Sequence, residues 1–329
     1  MRRVGDYELL DTLGRGAMGA VHRARHVPSG RVVALKVVTT AEAALAARLA
    51  REASLAGRLD HPAIVRVLDA GADGPVAFVA FDLVEGARTL GAALPSLERR
   101  QRVALVRDAA RALGHAHACG VVHRDVKLDN VLVDAAGRAR LTDFGVGLAY
   151  DLDRMTRSGV LVGTPETMAP EQATGKRDLV GPPTDVWALG VVLHQVLVEE
   201  HPLFGDEDPP HLAATVLAIA QAEPRRAREV DPTVPAALEA VVDRALRRDP
   251  RARFPDGEAM ARALDEALAG PAPRRYAAGA LGRGPGGRRA PRRPACPRRC
   301  SAGRGCARPG LHLLAAGRRR RGGLAPPRR

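Results

Sequence analysis

Residues 123–130 read HRDVKLDN, so a histidine, an arginine, two aspartates, a lysine and an asparagine share eight positions. Carboxylates orient or accept protons, a lysine is a compact positive charge, and a carboxylate with an amide oxygen suits a small hard cation. Such a set serves chemistry in which a nucleophile is aligned and negative charge is cancelled at one point. Two other stretches could supply the rest of such a site. GRGAMGAV, from Gly14 to Val21, has the spacing G-x-G-x-x-G-x-V. Glycines there let a hairpin lie close over phosphates and point backbone N–H groups at them. A dinucleotide-binding turn of similar spacing would open a helix, but AVHRARH runs instead into the turn HVPSG and another strand-like run. The third stretch is VALK, ending at Lys36. Only Lys36, Lys127 and Lys176 are lysines among 51 basic residues, an arginine excess that GC-rich coding bias explains. Lys36 nevertheless sits inside an apolar run, and it reads as a cation for phosphates. A buried lysine needs a carboxylate. Leu45, Leu49, Glu52, Ala56 and Leu59 fall on one helical face. Glu52 interrupts that apolar stripe, so it is the expected partner of Lys36. Glu42, in the first helical turn, is explained by the helix dipole.

The elements that would position these residues follow from periodicity. YELLDTLG, GAVHRARH, RVVALKVV and VAFVAFDLV read as strands, and residues 41–59 as an alanine-rich helix. From about 97 onward the helical period dominates, at 97–119, 183–198, 211–222, 234–247 and 256–268. The fold class is α+β, with a small β-rich lobe carrying one main helix and a larger helical lobe. A cleft between two such lobes is a natural small-molecule site.

With these motifs in place, the chain resembles the eukaryotic-like serine/threonine protein kinases of bacteria over residues 7–268. The resemblance adds DFG at 143–145, APE at 169–171 and DVWALG at 185–190, in family order. It implies a bilobal kinase fold with a small lobe at 1–84, a large lobe at 85–269 and a tail at 270–329. It also implies transfer of the γ-phosphate of Mg-ATP to protein Ser/Thr hydroxyls, with Mn2+ as an alternative ion. Asp125 would accept or orient the hydroxyl proton and Lys127 would steady the phosphoryl group, while Asn130 and Asp143 would hold metal. Lys36 and Glu52 complete the catalytic set. For ATP the resemblance points to Leu13, Gly14, Arg15, Gly16, Ala17, Met18, Gly19 and Val21 of the hairpin, with Lys36. Ala34, Val21 and Leu132 would sandwich adenine, Phe81 would be gatekeeper, and backbone groups of Asp82 and Val84 would bind the ring edge. Lys127, two residues after Asp125, goes with Ser/Thr specificity, and Thr164 of GTP would contact Asp125 and Lys127. Glu171 would pair with Arg253, and Asp185 would hold the catalytic-loop backbone. His117 and His123 read as packing and hydrogen-bonding residues.

Arg124 before Asp125 goes with activation by loop phosphorylation, since arginine clamps phosphate. Thr156 and Ser158 match the hydroxyl pair that bacterial relatives autophosphorylate, and a homodimer could do this in trans. Thr167 departs from the family, which usually places an aromatic residue there, near the docked substrate. A scaffold with the same fold and no transfer activity is the rival reading, and the intact Lys36, Glu52, Asp125, Asn130 and Asp143 argue against it.

The formal charge of +14 is uneven. Beyond Glu266 there are 17 arginines and no acid, which leaves 34 basic against 37 acidic residues before it. Total charge therefore says nothing of nucleic-acid binding by the main body. The tail, rich in Arg, Pro and Gly, leaves three readings open: a disordered solvated segment, an arm for nucleic acid or anionic lipid, or an out-of-frame or truncated stretch. Only Cys119 of four cysteines lies in the body, so no disulfide framework is expected. A cytoplasmic setting follows, with no apolar run of signal or transmembrane length. With aromatics at 3%, the core must be built of Ala, Val and Leu.

Overall fold

The computed structural model describes residues 2–16, 19–40, 43–144, 165–205 and 212–270, apart from the side chains of Glu52, Leu55, Pro165, Leu212 and Ala213. These belong to one compact unit, Met1–Arg274; a second unit, Arg275–Arg329, lies outside the described residues.

The small lobe is an antiparallel sheet of β1 (Arg3–Val4), β2 (Tyr7–Gly16), β3 (Gly19–His26), β4 (Val32–Thr39), β5 (Val67–Asp73) and β6 (Val76–Asp82), in the order β1-β2-β3-β4-β6-β5. Strand alternation gives the sheet two different faces. Val33, Leu35, Ala24, Ala80, Phe78 and Tyr7 form a separate core on one face. Ala34 and Lys36 fall on the other, where the register sets Lys36 opposite Val21 and Val79, and Ala34 opposite Phe81. Helix α1 (Ala43–Ala56) packs against β5 and β6 through Ala46, Leu49 and Ala53. Strand β5 was not expected from the sequence. VLDAGAD has no long apolar alternation, and what makes it a strand is its turn: Gly74, at φ 58°, closes the chain back onto β6.

The large lobe begins with β7 (Arg88–Thr89), which pairs with β8 (Val131–Val133), itself paired with β9 (Ala139–Leu141). Around this ribbon stand α2 (Leu90–Ala93), α3 (Arg99–Ala118), α4 (Pro170–Ala173), α5 (Pro182–Val198), α6 (Leu212–Gln221), α7 (Ala227–Val230), α8 (Ala236–Ala245) and α9 (Gly257–Ala269). The five helices expected by period are present, with ends shifted by two residues at most. Helix α5 is the hub. It is apolar all round, and Val186, Trp187, Leu189, Val191, Val192, Leu193 and Val196 are all buried. Pro182 starts it, where a missing N–H costs nothing. Asp256 caps α9, accepting the Ala259 N–H at 2.7 Å. Among the described residues, no helix is long and apolar enough to cross a membrane.

Two sets of polar side chains are buried inside this lobe. Arg253 donates bidentately to Glu171, both bonds at 2.8 Å, with side-chain exposures of 0% and 2%. Thr184 Oγ1 donates to the same carboxylate at 2.9 Å, and the guanidinium also donates to the carbonyls of Arg247, Arg248 and Pro183. Arg253→Leu strands the carboxylate, and unfolding in denaturant should show a loss of about 3–5 kcal/mol; a loss below ~1 kcal/mol would show that water reaches Glu171. His201, buried after α5, donates from Nε2 to the Glu166 carbonyl at 2.7 Å and accepts the Leu203 N–H at Nδ1, 3.0 Å away. A second ring proton would break the latter bond. Burial, only partly offset by the Glu166 carbonyl and reinforced by His194, lowers its pKa to about 4. Between pH 6.5 and 4 the unfolded chain binds a proton here that the folded chain does not, so this contribution is complete above 6.5 and falls as pH drops. The pH dependence of unfolding free energy should flatten in His201→Gln relative to wild type, by on the order of 3 kcal/mol across that window. Parallel pH profiles for the two proteins would refute it.

Candidate active site

The HRDVKLDN loop leaves α3 and reaches β8 through a short 3-10 turn at Leu128–Asn130. Asp185, at the start of α5 and fully buried, accepts the His123 N–H at Oδ2 (2.8 Å) and the Arg124 N–H at Oδ1 (2.7 Å). Arg124 has φ 70°, a left-handed conformation that a non-glycine residue holds only under outside constraint. The His123 ring is committed at both nitrogens. Nδ1 accepts the Asp125 N–H at 3.3 Å, Nε2 donates to the Thr142 carbonyl at 2.8 Å, and the ring lies 4.5 Å from that of Phe144. It is therefore not poised as a base.

Asp125 faces outward from this scaffold, with its side chain 22% exposed. Lys127 Nζ donates to both carboxylate oxygens, at 3.1 and 3.3 Å. Asn130 Nδ2 donates to Oδ2 at 3.0 Å and to the Asp125 carbonyl at 2.7 Å. Burial alone would lower the Lys127 pKa, but the charge and hydrogen bond of Asp125, with Asp143 and Asp129, raise it above the ordinary value. Lys127 is thus a permanent cation beside the carboxylate. Because Asn130 spends its amide nitrogen on Asp125, its oxygen is what it can offer a cation. Asn130, expected to hold metal, thus also orients Asp125.

Asp143 follows β9 with φ 67°. Its Oδ2 accepts Lys36 Nζ at 2.9 Å, with both side chains largely buried. Among the described residues Lys36 pairs with Asp143; the side chain of Glu52, its expected partner, lies outside them. The Asp143 pairing has a geometric basis. Lys36 lies on the inner sheet face, and β9 is tied beneath it by Leu141 N–H to Ala63 O (2.7 Å) and Val65 N–H to Leu141 O (2.8 Å). A residue after β9 is thereby brought within reach of Lys36.

The glycine hairpin separates two kinds of glycine. A Cβ on Gly19, at φ 142°, would fall 2.1 Å from the Val37 carbonyl, so the fold itself demands glycine there. Gly14 and Gly16 would meet nothing within 4 Å. Leu13, Gly14, Arg15 and Gly16 are exposed, and Ala17 and Met18 lie outside the described residues. Deeper in, Ala34, Leu132 and Val84 pack, partly buried, against the core that contains Phe81 and Val79; Val21 is also partly buried. Asp82 uses its N–H on the Arg66 carbonyl (2.9 Å) and its side chain on Arg31, and Val84 uses its carbonyl on the Ala87 N–H (3.3 Å). What remains for a ligand edge is the Asp82 carbonyl and the Val84 N–H.

Thr156, Ser158 and Thr164 lie outside the described residues. Thr167 is 7% exposed at the end of the Pro165–Thr167 turn. The donor set fits a nucleotide with a hard cation. The Asp143 carboxylate is joined to the Lys36 ammonium and the Asn130 amide nitrogen to Asp125, and magnesium takes few protein ligands beside substrate phosphates.

Comparison with known proteins gives the same picture. The protein kinase domain family matches residues 7–264. The chain is 38% identical over 269 residues to the serine/threonine-protein kinase PknD of Mycobacterium tuberculosis, covering 80% of this chain and 40% of that protein. It is 38% identical to Pkn1 of Myxococcus xanthus (81% and 39%) and 31% identical to PrkC of Bacillus subtilis (78% and 39%). The chain thus spans about 40% of the length of these curated relatives. The crystal structure of the Mycobacterium tuberculosis PknI kinase domain, C20A mutant, superposes with a TM-score of 0.63 at 28% identity, over 81% of this chain and 97% of that one.

Proposed function

The chain belongs to the protein kinase domain family, and on that premise we propose that it transfers the terminal phosphoryl group of magnesium-bound ATP to serine and threonine hydroxyls of proteins. The observation that carries this reading is the assembly at one point of Asp125, Lys127 and Asn130, with Lys36 and Asp143 joined at 2.9 Å across the lobes. Residues 1–84 then serve as the nucleotide-covering lobe and 85–269 as the substrate-bearing lobe.

Each side chain has work that follows from its neighbours. Asp125, oriented from two sides, aligns the acceptor hydroxyl and takes its proton as the oxygen–phosphorus bond forms and the bond to the departing ADP breaks. Lys127, held charged, neutralises the transferring group while it passes between oxygens. Lys36 holds Asp143 and presents its ammonium to the inner phosphates. Asn130 and Asp143 are the residues that would hold magnesium, which when bound offsets the charge on the phosphate oxygens. The open faces of Gly14 and Gly16 let the hairpin backbone approach phosphates without a side chain between. Ala34, Val21 and Leu132 supply the apolar walls for adenine, beside the Asp82 carbonyl and Val84 N–H.

Asp125→Asn keeps the size and hydrogen bonding of the side chain and removes its basicity. With labelled ATP, magnesium and casein as acceptor, its turnover should fall about 100-fold or more relative to wild type; equal labelling by the two proteins would sink the transfer reading. We also place autophosphorylation at Thr156 and Ser158, because Arg124 is exposed beside the catalytic loop and available to a phosphate. The double variant Thr156→Ala with Ser158→Ala should lose about tenfold in activity and carry less label, as the lost phosphate–arginine contact implies. Full activity in that variant would remove the loop switch and leave the transfer chemistry standing.

A further inference from the structure

Three hydrogen-bonded links run from the last helix to the loop that presents Asp125. At the start of α9 the Gly257 N–H donates to His117 Nδ1 at 3.2 Å. An amide N–H can only donate, so Nδ1 is an acceptor and the ring proton sits on Nε2. Nε2 donates in turn to Asp185 Oδ2 at 2.8 Å. That same oxygen accepts the His123 N–H, and Oδ1 accepts the Arg124 N–H. The His117 side chain is 3% exposed and that of Asp185 0%, so water has little chance to replace a missing donor. The first link is also sterically fixed. A Cβ on Gly257 would lie 2.3 Å from the Ala110 carbonyl and 2.6 Å from the Gly114 nitrogen, which places α9 in backbone contact with α3. At the far end stands Arg124, in a left-handed conformation that needs an external hold.

We infer that His117 is a positioning residue for phosphoryl transfer: seated by the Gly257 amide of α9, it fixes the Asp185 carboxylate in the orientation that holds the His123 and Arg124 amides, and through them Asp125. The effect on rate rests on the proposed kinase activity, whereas the effect on the loop does not. His117 touches neither substrate nor nucleotide, so it acts on how often Asp125 is in place and not on nucleotide binding.

The test compares wild type with His117→Phe, which keeps the ring and removes both polar links, and His117→Gln, whose side-chain amide can place an N–H near the Nε2 position. Two readouts are taken: amide hydrogen exchange at residues 122–126, and initial rates with magnesium, labelled ATP and casein. In His117→Phe, exchange at 123 and 124 should accelerate about tenfold or more, and kcat should fall about 10- to 100-fold at unchanged KM for ATP, the scale of one buried hydrogen bond to a charged group. His117→Gln should recover most of both losses. Wild-type exchange and kcat in His117→Phe would overturn the inference, and so would a fall confined to the KM for ATP. Should His117→Phe fail to fold, His117→Gln against His117→Asn decides: the shorter Asn amide stands near Nδ1, so it should show both losses while Gln does not, and equal behaviour refutes the link. If wild type itself transfers no phosphate, the kinase reading fails and the exchange comparison still decides the positioning role.

Discussion

Asp185 is a carboxylate at the base of the active site that no water reaches, and the catalytic loop is organised by its need for donors. Its two oxygens accept one imidazole and two backbone N–H groups. A buried carboxylate left unpaired is costly by several kcal/mol, so the loop is drawn down onto it at residues 123 and 124. That pull offsets the unfavourable backbone of Arg124. The chain then emerges one residue later with Asp125 pointing out of the scaffold, where Lys127 and Asn130 take hold of it. Helix α5 can carry such a charge because its flanks are sealed by Val186, Trp187 and Leu189. A helix buried all round and a strongly polar loop are thus parts of one arrangement.

Two ion pairs show how burial separates structure from chemistry. Glu171 and Arg253 are closed off from solvent, and every polar direction around them is filled. Such a pair has no spare valence and can only hold α4 against the segment before α9. Lys36 and Asp143 are 11% and 16% exposed and meet at 2.9 Å. That partial exposure leaves the pair open to a ligand. A pair of that kind joins two lobes and still has capacity for phosphate and metal.

The motifs that touch phosphate chemistry were legible because they are local. The glycine spacing, HRDVKLDN and the lysine in an apolar strand each declare themselves within a dozen residues. The helical period of α3, α5 and α9 is equally plain, since each buries a long stripe. What the sequence hid depends on contacts far along the chain. Helical spacing offers Glu52 to Lys36, but no local rule offers Asp143, which reaches Lys36 from 107 positions away. His117 reads as a packing and hydrogen-bonding residue, but its sequence surroundings do not name its partners. Its two partners, Asp185 and Gly257, lie 68 and 140 positions off, and no local pattern could bring them together. Strand β5 was hidden for a different reason, since its identity rests on a turn and a neighbour and not on its own side chains.

The glycines carry that distinction to its physical root. Gly19, Gly114, Gly190 and Gly257 each stand where a Cβ would meet backbone or a core side chain closer than 3 Å, so chain packing alone explains them. Gly14 and Gly16 satisfy no such requirement: their surroundings are open, and a residue with a side chain would fit the strand better by propensity. Glycine at an exposed strand end weakens the hairpin and gains nothing from the rest of the chain. Its advantage must come from something that approaches the backbone from outside the fold. The Lys36–Asp143 pair supplies groups that suit phosphate and its counter-ion. A hairpin weakened at Gly14 and Gly16 fits a flap shaped by its ligand, which is why the spacing of those glycines is informative by itself.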